Sequence, residues 1–119
     1  MFISKIIILG QLSIDKKDVN NVFNKLNICP KSVEFVSYKE AVCFNYIKLK
    51  NSKKYSDIIV GPLPHKGNDI GEYSSIITML ERNQSFPNVI RATTSNELKL
   101  TKNSLINSLL KTNKYLLDL

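Results

Sequence analysis

His65 and Lys66 stand side by side in the stretch Gly61-Pro-Leu-Pro-His-Lys-Gly67-Asn-Asp-Ile-Gly71, between the apolar run Asp57-Ile-Ile-Val60 and the hydroxyls of Ser74 and Ser75. An imidazole that titrates near neutrality, a cation and backbone N–H groups freed by glycine are the equipment for holding a phosphate at the start of a helix. Pro62 and Pro64 restrict the loop, so its shape is set before a ligand arrives. Asp69 would orient the His65 imidazole for acid–base chemistry if the loop curls back on itself. The competing reading is a stiff strand-to-helix connector whose glycines only satisfy turn geometry, with His65 exposed or structurally bonded. The spacing is neither the dinucleotide fingerprint G-x-G-x-x-G nor the Walker pattern ending in Gly-Lys-Ser/Thr, so neither of those ligands follows from motif.

All four glycines, Gly10, Gly61, Gly67 and Gly71, follow the first or the third strand-like run. If those two strands are neighbours in a parallel sheet, their carboxyl-end loops face each other across one crevice. Gly10, Gln11 and Ser13 then form the second wall, with Gln11 and Ser13 able to bond a base or sugar, although Ser13 serves equally well as a helix cap. Of the two arginines, Arg82 reads as a surface charge at a helix end, and Arg91 is better placed to reach the crevice. The expected ligand contacts are Gly10, Gln11, Ser13, Gly61, Pro62, His65, Lys66, Gly67, Gly71, Ser74, Ser75 and Arg91, and the expected acid–base pair of any catalysis is His65 with Asp69. No metal site or cofactor is expected. Cys29 and Cys43 have no zinc-type spacing and read as two buried thiols.

The elements that must position these groups follow from periodicity. Lys5-Ile-Ile-Ile-Leu-Gly10 is the continuous apolar run of a central parallel strand. Val19, Val22, Phe23 and Leu26 form a helical stripe capped by Ser13 or Asp15 and ended by Pro30. Ser32 to Ser37 alternates as a less buried strand. Lys39 to Lys50 fits either a strand or a helix, and the need for a crossover between parallel strands favours the helix. Asp57 to Val60 is the third strand, and Tyr73, Ile76, Ile77 and Leu80 mark the clearest helix. Asn88 to Ala92 and Glu97 to Leu100 are too close for a parallel crossover and are expected as an antiparallel hairpin. Thr101 caps a last helix carrying Leu105, Ile106, Leu109 and Leu110, followed by the apolar tail Tyr115 to Leu119. The order βαβαβαββα predicts a single α/β domain over residues 1–119. Its expected shape is three-layered and Rossmann-like (flavodoxin-like), with sheet order 2-1-3-4-5 and an antiparallel last strand.

Composition bounds the function. The 119 residues are 43% hydrophobic and 23% charged, which is ordinary for a globular chain. The apolar runs are too short to span a membrane and the N-terminus lacks a leader's cleavage pattern, so a cytoplasmic location is expected and no membrane partner. The net charge is +7, of which residues 1–60 carry +5, and lysines outnumber arginines 15 to 2. That excess attracts phosphates without specifying any of them. The leading expectation is a small nucleotide- or phosphate-ligand-binding module, a sensor or sequestering protein. No paired carboxylates or nucleophile–base signature is evident, so binding is favoured over chemistry. The alternative is a small phosphoester- or glycosidic-bond-cleaving enzyme using His65. The third is a basic nucleic-acid-associated or interaction protein, not favoured because no aromatic-plus-basic recognition motif is present. A homo-oligomer built through the Tyr115–Leu119 tail is compatible with all three.

Overall fold

The computed structural model describes residues 4 to 117. β1 (Lys5–Leu9), β2 (Val33–Val36), β3 (Tyr55–Val60) and β4 (Asn88–Arg91) form one parallel sheet in the order β2-β1-β3-β4. Their side chains explain the choice of strand. Ile7, Leu9, Ile58 and Val60 face one layer, and Ile6, Ile8 and Ile59 the other, so both sides of the central pair are sealed by β-branched and leucine residues. The first layer holds α2 (Tyr38–Cys43) and α3 (Ile76–Arg82), the second α1 (Lys16–Leu26) and α4 (Lys102–Leu110). Asp15, not Ser13, caps α1, its carboxylate accepting from the Asp18 N–H at 2.9 Å. Lys39–Lys50 proves helical rather than extended, as α2 followed by a 3₁₀ turn over Tyr46–Leu49. The third helix begins at Ile76 with Ser75 as its cap, leaving Tyr73 in the preceding loop.

The fifth sheet strand is a correction to the expected order. A hairpin does form, but it is a separate ribbon of β5 (Thr93–Thr94) and β6 (Glu97–Leu98). Ser95 and Asn96 both adopt left-handed backbone, with φ of 52° and 65°, so the chain reverses within two residues. That turn carries residues 97–100 across the carboxyl end of the sheet instead of alongside β4. The Lys99 N–H bonds the Ala92 carbonyl at 2.9 Å, and the Ser13 N–H bonds the Leu100 carbonyl at 2.9 Å. Leu100 is fully buried there.

At the opposite, amino end of the sheet Asp57 is buried at the start of β3. Its carboxylate accepts from Ser56 Oγ at 2.7 Å, from Asn88 Nδ2 at 3.0 Å, and from the N–H groups of Asn113 and Lys114 at 2.8 and 3.0 Å. Those two N–H groups open α5 (Asn113–Leu117), so a strand residue caps the last helix. The apolar tail therefore begins docked under the sheet, while its last two residues, like the first three of the chain, lie outside the described residues. Both cysteines are exposed, which corrects the expectation of buried thiols. Cys29 follows the last apolar residue of the α1 segment, and Cys43 lies on the outer side of α2, which buries only Ala41.

Two tyrosines brace the sheet. Tyr46 Oη donates to the Ala41 carbonyl at 2.6 Å, and Tyr55 Oη donates to Glu34 at 2.8 Å. Burial raises the Tyr46 phenol far above its ordinary value, helped by the nearby Asp69 carboxylate. Burial and the bond to Glu34 push Tyr55 up to about 12. Both folded-state values are raised, so their contribution to stability is complete below the unfolded value of about 10 and is lost as the phenols ionise above it. Urea unfolding should show a fall in stability between about pH 10 and 12, and Tyr55→Phe should flatten part of that fall.

Candidate functional site

The carboxyl ends of β1 and β3 do lie side by side. The Gln11 N–H donates to the Pro62 carbonyl at 3.1 Å, and the Gly61 N–H to the Leu9 carbonyl at 2.8 Å. The space between the two bends is closed by the bends themselves. A Cβ on Gly10 would stand 2.6 Å from the Pro62 oxygen, and one on Gly61 would stand 2.5 Å from Leu100 Cδ1. Gly10 has φ +123°, a region open in practice only to glycine. The donors that an anion would need are also engaged: Gly10 bonds the Val36 carbonyl, Gln11 that of Pro62, and Ser13 that of Leu100. Three of the four N–H groups after β1 thus hold the fold together.

The loop after β3 runs away from that wall and onto α2. The Asn68 N–H bonds the Val42 carbonyl at 3.1 Å, its Nδ2 bonds the Cys43 carbonyl at 3.2 Å, and Asp69 accepts from the Tyr46 N–H at 3.2 Å. The two carbonyls are orphan groups at the carboxyl end of α2 and the Tyr46 N–H opens the 3₁₀ turn that follows, so the loop's polar residues are satisfying these two helical ends. Gly67 packs against Ile76 and the Ala41 carbonyl, and Gly71 is exposed. His65 gives its carbonyl to the Ile76 N–H, its ring is exposed, and no described hydrogen bond joins that ring to Asp69, Ser74 or Ser75. Lys66 is exposed. Ser75 caps α3 through the Thr78 N–H at 3.2 Å, and Ser74 Oγ lies 3.4 Å from the Thr78 hydroxyl. Arg91 points to α3, where it forms a two-pronged pair with Glu81 at 2.7 and 2.8 Å. That pair holds the Glu81 carboxyl below its usual range.

The opening at this end of the sheet lies one strand over. A cleft of about 240 Å³ separates the β1 bend, Gly10 to Leu12, from Phe35, Val36, Ser37 and Glu40 after β2. Phe35 is 39% exposed, with its ring 6.1 Å from that of Phe23. Ser37 and Glu40 form a reciprocal cap on α2: the Glu40 N–H donates to Ser37 Oγ, and the Ser37 N–H donates to Glu40 Oε1 at 3.0 Å. Those bonds from Ser37 hold the Glu40 carboxyl below its ordinary range, so it is ionised at neutral pH. Of the residues expected to bind a ligand, Gly10 and Gln11 line this cleft. Phe35, Ser37 and Glu40 were not anticipated, although Ser37-x-x-Glu40 straight after a strand carries the capping signature in plain view.

Among the described residues no group of three or more His, Cys, Asp or Glu is placed to hold a metal ion, and no helix is long and apolar enough to cross a membrane. No family model matches the chain, and no curated protein or solved structure is significantly similar to it.

Proposed function

We propose that this is a Rossmann-like small-ligand-binding module whose ligand enters the cleft between β1 and β2 and is held there by its nucleoside portion. The observation that carries the reading is the pairing, in one opening at the carboxyl end of a parallel sheet, of a half-exposed aromatic ring with an ionised carboxylate. A planar base stacks on Phe35, and sugar hydroxyls donate to the free oxygen of Glu40. Glu40 repels a phosphate, so the phosphate-bearing part of a nucleotide stays outside the cleft. This keeps the expected ligand class and moves its seat one strand away from the glycine–proline–histidine loop.

Titration with the common nucleosides and their 5′-monophosphates, followed by NMR, tests the reading. At about 0.3 kcal/mol per non-hydrogen atom, a nucleoside of about twenty such atoms binds in the tens of micromolar. Phe35→Ala should weaken it by about tenfold, and Glu40→Gln, which keeps the helix cap, should weaken it comparably. No binding at about 1 mM, or shifts confined to residues 61–71, would overturn the assignment.

A further inference from the structure

We propose that the amino end of the sheet, opposite the cleft, is a docking face for the phosphate backbone of a nucleic acid. The net charge is spread along the sequence, but the fold separates it. In a parallel α/β sheet each helix runs back against the strands, so residues that precede strands and residues that end helices collect at one end. Lys5, Lys31, Lys53 and Lys54 precede or open strands, Lys48 and Lys50 lie on the segment descending to β3, Lys25, Arg82 and Lys111 end helices, and Lys114 opens α5. Set aside the mutually compensating Arg91–Glu81 pair and Asp118, which is not described. The amino half then carries ten cations and two carboxylates, and the carboxyl half carries six of each.

Neither carboxylate at the amino end is left exposed and unpaired. Asp57 is fully buried and bonded, and Glu34 is held by Tyr55 Oη and by Lys5 at 3.4 Å, with Lys54 at 3.9 Å. Complementing helix dipoles accounts for Lys25, Arg82 and Lys111, and at the ends of the 3₁₀ turns Pro30–Ser32 and Tyr46–Leu49 for Lys31, Lys48 and Lys50, at most; Lys5, Lys53 and Lys54 have no helix end to serve. The cations come from all three layers, and against the ten of them only three large apolar residues stand exposed nearby among the described residues: Ile47 on the segment after α2, and Leu110 and Leu116 on α4 and α5. A membrane insertion surface or a protein interface needs its apolar residues gathered at the centre. A repeating polyanion needs only distributed positive charge, which this end supplies.

Fluorescence anisotropy with a labelled DNA duplex of about two helical turns tests the assignment. Two variants with the same change in net charge are compared: Lys25→Gln, Lys31→Gln, Lys48→Gln and Lys111→Gln together at the amino end, and Lys16→Gln, Lys17→Gln, Lys99→Gln and Lys102→Gln together at the carboxyl end, each checked for folding by circular dichroism. The natural chain should bind at about 50 mM salt, with log affinity falling against log salt at a slope of about −4 to −6. The amino-end variant should lose at least about tenfold in affinity and lower the slope by about 2 to 3, while the carboxyl-end variant changes affinity less than about twofold. Equal losses in both variants, or no binding at low salt, would overturn the proposal. So would tighter binding to vesicles of acidic phospholipid, or to an acidic protein, with the same lysine dependence.

Discussion

Asp57→Ala is expected to lower the free energy of unfolding by about 3–5 kcal/mol and the melting temperature by roughly 10–20 °C. The carboxylate accepts four hydrogen bonds from three places in the chain, Ser56, Asn88 and the N-terminus of α5, at a site with no exposure to water. Removing it leaves the Asn88 amide and two helix N–H groups without their acceptor at a part-buried site, at about 1 kcal/mol each, and opens a hole where the buried carboxylate stood. Asp57→Asn keeps the shape and one acceptor oxygen, so it should cost less, about 1–2 kcal/mol. Urea denaturation of both variants reads the difference directly. Equal, small losses would show that the α5 contact contributes little.

Gly10→Ala should be nearly as damaging, at about 3 kcal/mol or more. The new methyl meets backbone, the Pro62 oxygen at 2.6 Å and the Gly61 carbonyl carbon at 2.9 Å, on a residue whose φ of +123° already disfavours a side chain. Nothing at that contact is the movable tip of a side chain. Gly71→Ala is the control: its φ is +56°, but open space surrounds it, so about 1 kcal/mol is expected. Thermal melts of the two variants should therefore differ several-fold in shift, and similar shifts would show that the β1 and β3 bends relax apart easily.

The sheet was legible because its signal is local. Lys5–Leu9 and Tyr55–Val60 are continuous apolar runs, and the helical stripe at Val19, Val22 and Phe23 forces a crossover that makes β1 and β2 parallel. The reversal at Ser95 and Asn96 was legible as a hairpin, but the position of residues 97–100 was not, because it depends on the ribbon leaving the sheet after Arg91 and on contacts of Lys99 and Leu100 with Ala92 and the distant Ser13. The candidate site was half legible. Glycine marked the adjacent carboxyl ends of β1 and β3, but it marks close packing as readily as a ligand cradle. Here the Gly10 and Gly61 positions are filled by backbone and by Leu100, a residue far along the chain. The role of Asp57 was hidden for a similar reason: an acidic residue opening a strand looks solvated until its partners, 56 and 57 residues later, are in place. The charge separation could have been read from sequence once the element order was known, since lysines directly before strands and after helices must share an end.

The latch between Asp57 and α5 also joins segments of chain made at different times. The central strand is translated well before Asn113 and Lys114, which complete its carboxylate's shell. Without them the carboxylate is either left wet or buried incompletely paired. A chain cut back before Asn113 would keep only the Ser56 and Asn88 bonds to that carboxylate and leave the underside of β3 unsealed.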